Sequence, residues 1–119
     1  MSQSFDQPIA EAAMRLVQAV PQAQQDEYKA ACESLAAYLR RAGLARTLAF
    51  LQGKKDAQRL LAQHIEEQFK LVVPWPQGTL MQSHLKADLN MYRAHVEIAQ
   101  RVALWHKRMA QALFPKKAA

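Results

Sequence analysis

The chain has a single cysteine, Cys32, in 119 residues. That excludes an internal disulfide, leaves no thiol pair for a zinc knuckle, and fits a reducing, intracellular compartment. Glycine is nearly as scarce, with three. A P-loop needs a glycine-rich run ending in Gly-Lys-Ser or Gly-Lys-Thr after a strand, whereas nine residues of mostly apolar character separate Gly43 from Gly53. Those two glycines read as helix stops. No stretch approaches the ~20 apolar residues that span a bilayer. The opening MSQSFDQPIA lacks the charged-then-apolar order of a signal peptide, so a cytoplasmic protein with no membrane partner is expected. Alternating runs of β-branched residues, the mark of strands, are missing as well, and the class reads as all-α.

What is present is apolar spacing of helical period, in a chain that is half apolar and long enough for one core. The expectation is one helical domain over 1–119, a compact bundle of about five to six helices with a long C-terminal one. Pro8, following Asp6, suits the first turn of a helix that runs to about Val20, where Pro21 discourages continuation. A second helix starts near Gln24, with Asp26 and Glu27 at its N-terminus, Arg40 and Arg41 at its C-terminus, and Tyr28, Leu35, Leu39 and Ala42 as its apolar stripe. Gly43 stops it. Leu44, Leu48 and Leu51 mark a short helix over 44–52, which Gly53 can end in the left-handed conformation open to glycine. A fourth helix is expected from near Lys54, carrying Ala57, Leu61, Ile65, Phe69 and Val72 on one face and stopping before the loop PWPQG at 74–78. Thr79 can cap a short fifth helix through about Lys86. The last runs from about Leu89 to Phe114 with Met91, Ile98, Val102, Trp105 and Met109 as its stripe.

The formal charge of +6 is unevenly placed. Residues 1–39 carry two basic and five acidic groups, 40–59 six and one, 60–85 one and two, and 86–119 seven and two. Two basic blocks result, which read either as solvated helix faces or as a surface for a polyanion. In the first block Arg40 and Arg41 precede the nine-residue helix and Lys54 and Lys55 follow it. They are therefore separated by roughly 13 Å at the helical rise, within reach of one nucleic-acid backbone.

Catalytic or metal-binding constellations are weak. His84, His95 and His106 recur every eleven residues; on one continuous helix they would share a face but stand about 16 Å apart, too far for one metal ion. His64 and Glu67 are three apart, without the matching pair of a di-iron bundle, and read as part of a polar face. Cys32 reads as a buried structural thiol. Trp75 and Trp105 could each stack on a base, but core or loop anchoring is the commoner role. Neither an enzyme nor a cofactor is expected.

Two blocks carry a family resemblance: ESLAAYLRRAGLARTLAFLQGKK at Glu33 to Lys55 and MYRAHVEIAQRVALWHKRMAQAL at Met91 to Leu113. The first resembles a helix ending in a basic-x-Gly-Leu corner followed by a short helix centred on Ala49, Phe50 and Leu51. The second resembles a terminal helix with Tyr92, Arg93 and Glu97 and an ending at Trp105, Lys107, Arg108, Ala110 and Ala112. Together they resemble the small helical subunit of the type III-B CRISPR effector, the Cmr complex. The resemblance implies a non-catalytic part of a ribonucleoprotein. Its partners would be the other effector subunits, further copies of itself stacked as an inner filament, and the guide RNA and target RNA held alongside. On that reading Arg40, Arg41, Arg46, Lys54 and Lys55 are the first candidates for phosphate contact, and Lys107 and Arg108 the second. Two alternatives stay open: the small subunit of the related type III-A complex, and a helical adaptor whose basic blocks meet an acidic protein partner.

Overall fold

The computed structural model describes residues 2–73 and 78–114, with side chains from residue 6 onward. Six α-helices follow one another: α1 (Ser2–Gln18), α2 (Gln25–Ala42), α3 (Leu44–Gln52), α4 (Ala57–Val72), α5 (Leu80–Leu85) and α6 (Leu89–Leu113), with a single 3-10 turn at Gln22–Gln24 before α2. No strand occurs among the described residues. At 25 residues α6 is the longest helix, about 37 Å at the helical rise. It packs mainly on α1 and α2, while α4 lies against α2, α1 and α3, and α5 closes one end against α3 and α6.

Two boundaries differ from the sequence expectation. The first helix begins at Ser2, with Pro8 inside it. A proline inside a helix forfeits the ladder bond to the residue four before it and crowds that residue's carbonyl, and burial of Ile9, Ala12, Ala13 and Val17 on the inner face helps to hold the helix despite that cost. Its other end tightens into i→i−3 bonds from Ala19 to Leu16 and from Val20 to Val17 ahead of Pro21. The fourth helix starts at Ala57 instead of near Lys54. Gly53 is not left-handed but keeps φ −78°; the chain turns at Asp56, at φ 55° and ψ −114°, the backbone of the first central position of a II′ turn, which glycine usually takes. Lys54 and Lys55 thus occupy the α3–α4 turn. The expected cap at Thr79 is present as a capping box. Its hydroxyl accepts from the Gln82 amide at 3.2 Å, and the Gln82 side-chain oxygen accepts from the Thr79 amide at 2.9 Å.

The apolar stripes meet in one core. Tyr28, Cys32, Leu35 and Leu39 of α2 face Leu61, Ile65 and Phe69 of α4 and Ile98 and Val102 of α6. Within this core lies a polar tie. The Gln68 amide donates to the Ile9 carbonyl at 3.0 Å and faces His106 Nε2 at 3.0 Å. Because that amide nitrogen can only donate, His106 Nε2 must be the acceptor and its proton must sit on Nδ1. His106 Nδ1 then donates to the Tyr28 hydroxyl, 2.9 Å away, which leaves the Tyr28 proton for His64 Nδ1 at 2.7 Å. One chain of bonds so joins α1, α4, α6 and α2; its polarity requires His106 to be neutral, and the Tyr28 proton given to His64 Nδ1 makes that ring neutral as well.

His64 is accordingly not on a polar face as its spacing from Glu67 suggested: it is buried, because the inner surface of α4 includes a polar position that Tyr28 satisfies. Desolvation pushes His64 down to about 4, partly opposed by Glu67 and aided by Arg15. Burial, reinforced by His64, pushes His106 down to about 3. His84, His95 and His106 do not share one helix. His84 is on α5, and the turn before α6 folds it back so that its Nδ1 lies 2.9 Å from His95 Nδ1. Both rings are buried. Cys32 is buried as expected, with desolvation the main cause of a thiol pushed up to about 12.

Candidate nucleic-acid interface

The α2–α3 corner is made by one residue. Gly43 has φ 85° and ψ 168°, a combination that side-chain-bearing residues avoid. Its N–H donates to the Leu39 carbonyl at 2.9 Å and so caps α2. Its carbonyl accepts from the Thr47 amide at 3.1 Å, and from the Thr47 hydroxyl at 2.7 Å, at the start of α3. With no intervening linker, the two helices and the cations at their ends are held in fixed relation. Arg40 and Arg41 occupy the last turn of α2, where the carbonyl end of the helix dipole favours positive charge.

The corner does not gather the candidate cations into one cluster. It sorts them. Arg41 lies over the Tyr38 ring, 5.4 Å from its centre. Tyr38 stacks on Phe50 of α3 with centres 5.0 Å apart and planes at 23°. Lys54 lies over the Phe50 ring, 4.9 Å from its centre. This row of cation, ring, ring and cation puts Arg41 and Lys54 at most about 15 Å apart, the three separations laid end to end. Lys55 is exposed beside Lys54 in the same turn. Arg40 points elsewhere and lines a shallow cleft between α2 and α6 with Lys107, Glu97 and Arg101. Arg46 lines a third surface, between α3 and α5, with His84, Leu85 and Tyr92. Arg108 is exposed on α6, and Lys107 is half-buried.

Tyr38 and Phe50 were not among the expected site residues. A signal existed: Arg41 follows Tyr38 by three and Lys54 follows Phe50 by four, the spacings at which side chains meet on a helix. Their mutual stacking depends on the one-residue corner, which local spacing does not show. Of the two tryptophans, Trp105 packs half-buried against the core, and Trp75 lies outside the described residues. Arg101 is engaged within the fold, 2.6 Å from Asp6 and 3.1 Å from Glu97. Among the described residues, no three His, Cys, Asp or Glu side chains are grouped to hold a metal. No described helix is long and apolar enough to cross a membrane.

The family described as CRISPR-associated protein (Cas_Cmr5) matches residues 5–113, nearly the whole of this architecture. The chain belongs to the Cmr5 family. Members of the Cmr5 family are small subunits of the type III-B Cmr complex, so the chain is a subunit of that CRISPR complex and not of its type III-A relative. The crystal structure of a CRISPR-associated Cmr5 family protein from Thermus thermophilus has the same fold. The two align with a TM-score of 0.78 over 92% of this chain and 96% of that one, at 27% identity. No curated protein matches the chain. Within this Cmr5 fold, the two blocks that carried the sequence resemblance fall on α2, α3 and the turn after it, and on α6, the segments that hold all seven candidate cations.

Proposed function

We propose that this Cmr5 family chain is a non-catalytic, RNA-binding structural subunit of a cytoplasmic ribonucleoprotein. In it, several copies stack as an inner filament that helps to hold guide RNA and target RNA during antiviral defence. The observation that carries the reading is the rigid corner. Arg41 and Lys54 lie over the stacked Tyr38 and Phe50 rings, Lys55 follows Lys54 in the turn, and Arg40 and Lys107 line a separate cleft. Such cations neutralise phosphates and set register without choosing sequence; base pairing with the guide would do that. Its partners are then the other effector subunits, the two RNAs and further copies of itself.

The test is a reconstituted complex carrying Arg40→Gln, Arg41→Gln, Lys54→Gln and Lys55→Gln. None of the four is buried, so helical circular dichroism should be unchanged. Retention of target RNA across a salt series should weaken and lose steepness by about 0.7 in log affinity against log salt for each lost contact, little affected by RNA sequence. An unchanged slope with assembly intact would make these cations a solvated face. Capture of an acidic protein at the same residues, with RNA retention untouched, would favour the adaptor reading.

A further inference from the structure

Beside the Tyr38–Phe50 pair the surface opens into a cleft of about 280 Å³ between α2, α3 and the start of α4. Its floor is Ala31, Leu35 and Leu51, its aromatic wall is Tyr38 and Phe50, and its rim carries Glu27, Ser34 and Gln58. We propose that this cleft receives one unpaired nucleobase of the RNA, stacked on Phe50 beside Tyr38, with its flanking phosphates on Arg41 and Lys54. The inference rests on the RNA-binding reading above and extends it from the phosphate backbone to a base.

Three observations converge. Phe50 is 43% exposed, a large ring kept at the surface although the apolar floor of the cleft lies beside it. An aromatic wall with cations at both ends is the arrangement that single-stranded nucleic acid requires, since rings accept the base and the cations accept the backbone. The cleft also has polar groups of both kinds at its mouth, the Glu27 carboxylate as acceptor and the Gln58 amide as donor and acceptor, which can meet the hydrogen-bonding edge of a base.

Each ring already has a cation over it, Arg41 at Tyr38 and Lys54 at Phe50, so a base that stacks on Phe50 displaces Lys54. Lys54, exposed in the α3–α4 turn, is the one free to swing away. A cation over an exposed ring is worth a factor of about 2 to 5 in an equilibrium. A stacked base is worth a factor of about 5 to 150. The exchange therefore favours the base, and the released ammonium remains close enough to meet a phosphate. A protein side chain could fill the same apolar floor, but it would have no use for cations at both ends of the wall. The cations over the two rings thus favour RNA.

The test uses the full chain with a short single-stranded RNA bearing one 2-aminopurine, and the same RNA with an abasic residue at that place. Binding should quench the 2-aminopurine, and the abasic RNA should bind at least 5-fold more weakly. Phe50→Leu, which retains apolar bulk at an exposed position, should abolish the quenching and weaken the intact RNA 5-fold or more while leaving the salt slope unaltered. Arg41→Gln with Lys54→Gln should do the reverse, flattening the slope while quenching persists in the bound fraction. If Phe50→Leu binds and quenches like the parent chain, the base site is wrong and the phosphate reading stands. If neither the full chain nor the reconstituted complex binds RNA, both are wrong. In the complex, a benzophenone amino acid in place of Phe50 should cross-link to RNA; cross-linking to a protein subunit alone would overturn the proposal in favour of a protein contact.

Discussion

Acidification to pH 5 should destabilise this fold through its histidines. In the unfolded chain His64 and His106 take up protons near pH 6.5, whereas in the folded chain they do so only near 4 and 3. Between those limits the unfolded chain binds more protons, so stability is fully present above about pH 6.5 and is lost as pH falls toward the folded values. Each proton costs about 1.4 kcal/mol per pH unit across that window. From 6.5 to 5 this amounts to about 2 kcal/mol for His106, and to less for His64, which is nearer solvent and better screened. Together they remove about 3 kcal/mol, a large share of the 5–15 kcal/mol typical of a domain. His84 and His95 are also lowered, mainly by desolvation, and act in the same direction. The structural reason is donor count: protonated His106 would turn an N–H toward the Gln68 amide, which can only donate. Urea unfolding followed by circular dichroism at pH 7, 6 and 5 measures the effect. With a urea m-value of about 2 kcal/mol/M the midpoint should fall by roughly 1.5 M. A midpoint that stays level between pH 7 and pH 5 would refute the assignment of neutral, bonded histidines in the core.

Tyr28→Phe keeps the ring and deletes the one hydroxyl that serves both His64 and His106; with two buried ring nitrogens left unpaired it should cost about 2–4 kcal/mol, measurable as a lower urea midpoint at pH 7, and a neutral result would show that the hydroxyl is not the shared partner. Gly43→Ala should cost about 1–3 kcal/mol from backbone strain alone, because an added Cβ at that position meets no atom within 4 Å. Gly53→Ala, at φ −78°, should cost less, and equal effects in the two thermal melts would argue against the one-residue corner.

Much of the fold was legible because its punctuation is unambiguous. Gly43 and Gly53 bounded α3, Thr79 capped α5, and the leucine stripes named the buried faces of α2 and α3. The start of α4 was not legible, since nothing in the residues 53–56 announces that Asp56 will adopt a positive φ. His64 was misread for a different reason. A buried histidine needs a partner, and the partners of His64 and His84 come from other helices, 36 and 11 residues away. Spacing along one helix carries no trace of such a match. The candidate site divides along the same line. Charge is written in the sequence, so the basic residues could be named; their sorting onto three surfaces follows from how α2, α3 and α6 are packed, which only the folded chain displays.

The burial of Cys32 has a practical side. A thiol pushed up to about 12 and enclosed between α2 and its neighbours carries almost no thiolate at neutral pH. Alkylating reagents can therefore reach it only when the helices part, and the chain holds no other sulfhydryl to compete. Its rate of modification is a built-in clock for core opening. A cysteine placed on the surface, by contrast, would react at once and alone, giving a single attachment point for a spectroscopic label while the native fold keeps its own thiol silent.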